Sequence, residues 1–141
     1  MGLDNSLVIR GNTIRGKKFL DEHFKKLESK YSPTRFEFDY WRKCYNLRSR
    51  FFEVFGDHDG WDEDRYEVTL KIVDLYDYVE SVLKYFLNED NWLEDRGSIW
   101  EWHIMLRSIA DAICNIKEFM MFTGIEGLND TDFHIYWYDS Y

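Results

Sequence analysis

The chain has little proline, little cysteine and no long apolar run. A single proline and eight glycines in 141 residues leave no room for a flexible linker or a low-complexity segment. The N-terminus carries no signal-peptide pattern, and no apolar stretch is long enough to cross a membrane. We therefore expect a single domain over residues 1–141, located in the cytoplasm and long enough to bury a core.

The sequence also lacks the usual signatures of catalysis. No two of its four histidines stand four residues apart, and it has no glycine-rich phosphate-binding loop and no serine nucleophile elbow. His58 lies between two aspartates and could act as a general base, but no nucleophile is placed for it. Cys44 and Cys114 fall in predicted helices, which indicates buried, reduced thiols. Nothing argues for an enzyme, and we predict no catalytic residue, cofactor or metal site.

Charge is divided unevenly along the chain. Residues 1–50 contain 12 lysines and arginines against 6 acidic residues, whereas residues 51–141 contain 6 against 21. The balance is thus +6 in the first part and −15 in the second, which predicts a dipolar molecule. An acidic majority repels nucleic acid and anionic membranes and favours a basic protein partner. The alternative is that the acidity serves only solubility.

The longest regular pattern lies between Ile99 and Phe122. Its apolar residues alternate in steps of three and four, and a second apolar row lies beside them, so we predict a long amphipathic helix at the centre of the fold. Ser98 is its predicted N-cap and Gly124 its stop signal. The first row consists of Ile99, Trp102, Leu106, Ile109, Ile113, Ile116 and Met120, and the second of Met105, Ala112 and Phe119.

The remaining patterns predict shorter elements around this helix. Further helices are predicted over residues 17–31, ending before Pro33, over 39–55, and over 70–87 with Thr69 as N-cap. Residues 1–10 and 133–138 are β-prone, and residues 65–68 are extended. A lone strand is unstable, so the two terminal strands are expected to pair. The predicted class is α+β, mostly helical, with four helices including the long C-terminal one and a small antiparallel sheet of N- and C-terminal strands.

Two predicted loops combine acidic and aromatic side chains. Such a combination is typical of a protein interface, in which aromatic anchors are surrounded by charge. We therefore predict a partner-binding surface in which carboxylates stand in for phosphates against a basic groove. Its candidate residues are Asp57, Asp59, Trp61, Asp62, Glu63, Asp64, Glu89, Asp90, Trp92, Glu94 and Asp95. The first loop also resembles a calcium site in composition, but its spacing does not fit an EF-hand.

A second candidate site is basic. Arginine and lysine residues on the predicted helix 39–55 could bind a phosphate or nucleotide, with Trp41 or Tyr45 stacking on the base. The candidate residues are Trp41, Arg42, Lys43, Tyr45 and Arg50. The other interpretation of this run, which also includes Arg48, is a solvated helix face that pairs with the acidic loops.

Several short segments resemble a group of small phage and prophage proteins. They are Met1-Gly2-Leu3-Asp4, Tyr40-Trp41-Arg42-Lys43 with Phe51 after it, Glu67-Val68-Thr69, Gly97-Ser98, and the C-terminal Asp139-Ser140-Tyr141. The resemblance implies a phage origin and an accessory role in the infected bacterium, without an established activity. Together with the charge, it suggests a counter-defence or host-takeover inhibitor that binds a host protein, for instance a basic nuclease effector. The alternative is a small-ligand protein or an unrecognised enzyme. A second copy of the chain could also share the last helix.

Overall fold

The computed structural model describes residues 4–29, 32–42, 47, 50, 51, 53, 54, 65–93 and 99–140. Its strands are β1 (Asp4–Gly11), β2 (Glu28–Ser29), β3 (Ser32–Arg42), β4 (Arg65–Leu70) and β5 (Phe133–Ser140). Its helices are α1 (Ile14–His23), α2 (Ile72–Leu87), α3 (Glu89–Leu93) and α4 (Ile99–Glu126), with 3₁₀ turns at Lys25–Leu27 and Asp130–Asp132. Residues 47, 50, 51, 53 and 54 are also helical. The α+β class and the long C-terminal helix are confirmed.

A five-stranded sheet in the order β2-β3-β1-β5-β4 forms one layer of the fold, and neighbouring strands are antiparallel. The predicted pairing of the N- and C-terminal strands is confirmed, with Leu7 opposite Trp137 and Ile9 opposite Ile135. These two strands lie in the interior of the sheet, because β3 and β4 extend it on either side. The sheet is therefore larger than the two-stranded one predicted.

Strand β3 corrects two predictions at once. The predicted helix 39–55 cannot begin at Asp39, because Asp39 and the three residues after it pair with β1. The predicted helix 17–31 is also too long: α1 ends at His23, and a 3₁₀ turn leads into β2. The alternation Phe36-Glu37-Phe38 is the period-two pattern of a strand, whose register shifts between Leu7 and Val8 of β1. Because of this shift, Phe36, Phe38 and Trp41 are all buried, although Trp41 stands at an odd-numbered position and the two phenylalanines stand at even-numbered ones.

Helix α4 packs one face against the sheet and α2. Its buried face is centred on Met105, Ile109, Ala112, Ile116 and Phe119. Of these, Met105, Ala112 and Phe119 form the second apolar row of the prediction. In the first row, Trp102, Leu106 and Met120 are only partly buried. The described elements share one hydrophobic cluster, in which phenylalanine and tryptophan are prominent. The prediction that both thiols are buried is wrong for Cys114. This residue is exposed, because it lies on the face of α4 opposite the sheet. Cys44 lies outside the described residues.

The helix ends differ from their predicted positions. Helix α4 continues through Gly124 to Glu126, and Gly127 follows with φ of 70°, a conformation that glycine adopts without steric cost. The predicted cap Thr69 lies in β4 instead, and Lys71 occupies the N-cap of α2 without a side-chain hydrogen bond. The Ile72 N–H donates to the Asp130 carboxylate at 2.7 Å, which places an acidic group at the start of α2. Within the described residues, no helix is long and apolar enough to span a membrane.

Gly16 in α1 marks a close approach between α1 and the turn before β5. A Cβ at this position would meet the backbone carbonyl oxygen of Asp132, whereas a Cβ at Gly124 in α4 would meet nothing within 4 Å. We expect Gly16→Ala to lower the free energy of unfolding by about 1–3 kcal/mol through overpacking. Gly124→Ala is the matched control and should raise it by about 0.5–1 kcal/mol, because alanine favours the helix. Chemical denaturation of both variants measures the difference, and equal effects would contradict the close approach.

Candidate functional site

The predicted acidic surface is only partly within the described structure. Residues 57–64 and the pair Glu94 and Asp95 lie outside the described residues. Glu89 and Asp90 lie on α3, where Asp90 is exposed. Trp92 is buried and its ring meets that of Phe86 edge-on at 5.5 Å, so it belongs to the core and cannot act as an exposed anchor. The prediction is wrong for Trp92 because acidic residues near it in the sequence do not prevent its own side chain from facing the core.

The predicted basic site is divided by the structure. Trp41 is buried in β3, where its ring lies 5.7 Å from those of Trp137 and Phe51, so neither face is open to a nucleotide. Arg42 ends the same strand, and Lys43 and Tyr45 lie outside the described residues. Arg50 is the member whose side chain reaches an open cleft. The interpretation of Trp41 as a stacking residue is therefore wrong, because its ring is packed among other aromatic side chains in the core.

The cleft lies between the helical segment that carries Arg50 and the outer face of α2. It has a volume of about 510 Å³ and is open to solvent, and we call it the α2 cleft. The guanidinium carbon of Arg50 lies 4.0 Å from the centre of the Tyr85 ring, and its Nη1 donates to Glu53 at 2.8 Å. These contacts hold the arginine flat against the aromatic wall. The lining residues are Arg50, Asp77, Glu80, Ser81, Lys84 and Tyr85.

Glu80 is the best connected carboxylate of the α2 cleft. It accepts a hydrogen bond from Lys84, one helical turn later, at 2.6 Å, and a second from the Tyr76 hydroxyl. The bond from Lys84, followed by that from Tyr76, lowers the pKa of Glu80. The same contacts raise the pKa values of Lys84 and Tyr76. Glu80 therefore stays charged at neutral pH and already holds one cation, supplied by its own helix.

Three polar groups of the α2 cleft have no hydrogen-bond or ion-pair partner within the part of the chain that the structure describes. They are the Asp77 carboxylate, which is exposed, the Ser81 hydroxyl and the buried Nε of Arg50. A carboxylate and a hydroxyl can accept hydrogen bonds from a ligand, whereas the Arg50 Nε is buried and does not reach the open cleft. The accessible groups of the cleft thus suit a positively charged donor, such as a basic side chain.

Apolar side chains lie at both ends of the outer face of α2. Val73 and Leu87 are exposed, and the charged residues of the cleft lie between them. Exposed apolar side chains next to charged ones can contribute to a protein interface, in which apolar contacts are surrounded by a polar rim. The sequence did contain the signal, since Val73, Asp77, Glu80, Lys84 and Leu87 are spaced by three or four residues. It was missed because the apolar inward stripe of the same helix dominates the pattern.

Contrary to the prediction, the glycine and lysine spacing of a phosphate-binding loop does occur, from Gly11 to Lys17 between β1 and α1, although Lys18 stands where that motif has serine or threonine. The structure gives both glycines a packing role, since a Cβ at Gly11 would meet Lys17 and a Cβ at Gly16 would meet Asp132. The Thr13 hydroxyl caps α1 by accepting from the Gly16 N–H at 3.0 Å. The Asp132 carboxylate is bound by Thr13 and Arg15 at the same end, where a phosphate would lie. The protein thus fills this anion position with its own side chain.

Among the residues that the structure describes, no three histidine, cysteine, aspartate or glutamate side chains are grouped closely enough to hold a metal ion. No protein-family model, no curated protein and no solved structure matches the chain. Function is therefore inferred from the geometry of the chain's own residues.

Proposed function

We propose that this protein binds a basic protein partner through the outer face of α2. The observation that supports this is the α2 cleft, where Asp77 has no partner among the described residues and lies between exposed apolar side chains. An uncommitted carboxylate beside apolar groups favours a lysine or arginine of another protein over a neutral ligand. The proposed activity is binding and inhibition of this partner.

Electrostatics of the surrounding helices favours the same class of partner. Residues 71–90, which span α2 and the start of α3, contain five carboxylates and two lysines. One of those lysines, Lys84, is bound to Glu80. A partner's arginine can displace Lys84 and bind Glu80 and Asp77 together, with Tyr85 and Arg50 forming the wall.

The biological setting of the proposal comes from the resemblance to small phage and prophage proteins. We propose that the protein is phage-encoded, acts in the cytoplasm of the infected bacterium, and blocks a host protein such as a basic, nucleic-acid-binding defence effector. We propose that the acidic residues 57–64 also take part in binding. The small-ligand alternative has less support, because Trp41 is buried in the core and cannot stack on a nucleotide base.

Capture of partners from bacterial lysate tests the proposal with matched baits. Asp77→Lys reverses a charge inside the α2 cleft, whereas Asp21→Lys reverses one on the exposed face of α1, far along the chain from it. We expect wild type and Asp21→Lys to retain the same basic protein and Asp77→Lys to lose it by at least about tenfold, which corresponds to about 1.4 kcal/mol. Retention should also weaken as salt is raised.

Lys84→Gln gives a prediction of opposite sign on the same partner. Removing the internal cation frees Glu80, so affinity should rise. Unchanged capture by both Asp77→Lys and Lys84→Gln would exclude the α2 cleft. Capture that is insensitive to salt would exclude an electrostatic interface.

A further inference from the structure

The outer face of α4 carries a second regular pattern, opposite to the buried one. Three large apolar side chains on it are exposed: Ile104 at 52%, Met121 at 54% and Ile125 at 73%. With the residues between them they form a heptad series in steps of three and four. The series, which we call the α4 seam, is Ile104, Arg107, Asp111, Cys114, Glu118, Met121 and Ile125. Such spacing places all seven on one stripe of the helix.

We propose that the α4 seam pairs with the α4 seam of a second copy of this chain, with the two helices antiparallel. In the register where paired residue numbers add up to 225, Ile104 lies opposite Met121 of the second copy, and Arg107 lies opposite its Glu118. Asp111 then lies opposite its Cys114, next to the two-fold axis. Apolar contacts thus form at both ends, with an opposite-charge pair inside each of them.

The charged residues of the α4 seam decide whether the two helices pair in parallel or antiparallel orientation. In a parallel pair each seam residue would face its own copy, so that Arg107, Asp111 and Glu118 would all make like-charge contacts. The antiparallel register turns two of these three into attractive contacts. Arg107 and Asp111 have no ion-pair or hydrogen-bond partner within the described residues, so both are available. Glu118 is bound to Lys26 through Oε2 at 2.9 Å, which leaves its other carboxylate oxygen for Arg107.

The dimensions of the seam fit a weak dimer. From Ile104 to Met121, the residues paired in this register, the helix rises by about 26 Å, at about 1.5 Å per residue, which is long enough for a helix-pair interface. Polar residues in the middle cost stability but fix the register. The dimer should therefore depend on concentration rather than be permanent. It uses α4, so it is independent of binding at the α2 cleft.

A charge swap on the full chain tests the contact between Arg107 and Glu118. Sedimentation or light scattering over a concentration series should show a dimer for wild type. Arg107→Glu and Glu118→Arg should each weaken association by at least about tenfold, and the double variant should restore it, because the contact is re-formed with its charges exchanged. Lys26→Ala is the control, since it removes the existing partner of Glu118 and leaves the seam unchanged. A wild-type monomer throughout, or a double variant no better than the singles, would overturn the proposal.

Disulfide trapping tests the register separately. In a Cys44→Ser background, Asp111→Cys would place a thiol opposite Cys114 of the second copy, and mild oxidation should give a covalent dimer faster than Cys114 alone. In the antiparallel register the two native Cys114 residues are offset by three residues, or about 4.5 Å of helix rise. Fast trapping through Cys114 alone, with no gain from the added thiol, would indicate a parallel pair and contradict the proposed register.

Discussion

Replacing Phe119 with alanine is expected to lower the free energy of unfolding by about 3–5 kcal/mol. Phe119 is fully buried on α4, and its ring meets four other phenylalanine rings at centroid distances of 5.1–5.9 Å. Those four rings come from α1, the residue after α1, β3 and β5. Phe119 therefore joins helix and sheet at one point, and its removal leaves a cavity that rigid neighbours on several sides cannot fill.

Equilibrium unfolding in urea measures this effect, and its controls follow from exposure and shape. Ile14→Ala removes a large apolar group that is 88% exposed, so it should change stability by no more than about 0.5 kcal/mol. Phe119→Leu keeps much of the volume and should fall between the two. The slope of free energy against urea should stay constant across the set. A small effect of Phe119→Ala at constant slope would contradict its place at the centre of the core.

Asp132→Asn is expected to produce the second largest loss of stability, about 2–4 kcal/mol. The Asp132 side chain is buried and accepts four hydrogen bonds. Arg15 donates two of them, at 2.8 and 2.7 Å, and Thr13 donates one at 2.8 Å. The Asn129 N–H completes the set at 3.0 Å, as part of a capping box. Asparagine has the same shape but lacks the charge, and its amide group would face donors.

The same carboxylate predicts the acid sensitivity of the fold. The bond from Arg15, supported by those from Asn129 and Thr13, holds the pKa of Asp132 well below its usual range. A carboxylate with a lowered pKa in the folded state contributes stability above its unfolded pKa of about 4 and loses it as the pH falls towards the folded value. Wild type should therefore lose more stability than Asp132→Asn between about pH 5 and pH 2.

Thermal or urea unfolding over this pH series provides the test, with Asp21→Asn as the control. Asp21 is exposed and has no hydrogen-bond or ion-pair partner within the described part of the chain, so its variant should follow the wild-type curve. A constant gap between wild type and Asp132→Asn at all pH values would show that the carboxylate acts as a hydrogen-bond acceptor and not through its charge.

Periodicity was sufficient to predict elements that have one buried face and a long pattern. Helix α4 follows from such a pattern, since seven or more residues all indicate the same geometry. The pairing of β1 with β5 follows instead from β-prone composition and from the instability of a lone strand. Strand β3 was missed because its register shift changes parity between Phe38 and Trp41, which breaks the period-two pattern and resembles the start of a helix. The predicted helix 17–31 is too long because a 3₁₀ turn after Phe24 continues the apolar stripe of α1.

The candidate site was harder to predict because exposure is a tertiary property. Trp41 and Trp92 stand beside charged residues in the sequence, yet both are buried. Cys114 lies in an apolar helix, yet it is exposed. Local composition could not distinguish these cases. Arg50 lines an open cleft, but its neighbours Asp77 and Tyr85 come from another helix, about thirty residues later.

The position of β5 between β1 and β4 has a consequence for how the chain folds as it leaves the ribosome. Until residues 133–140 are synthesised, β1 and β4 have no strand between them, and the buried side of α4 lacks part of the surface that covers it. Contacts between the first and last strands span most of the chain, which slows folding. The nascent chain would therefore expose apolar helices until residues 133–140 have left the ribosome, and its folding should benefit from chaperones.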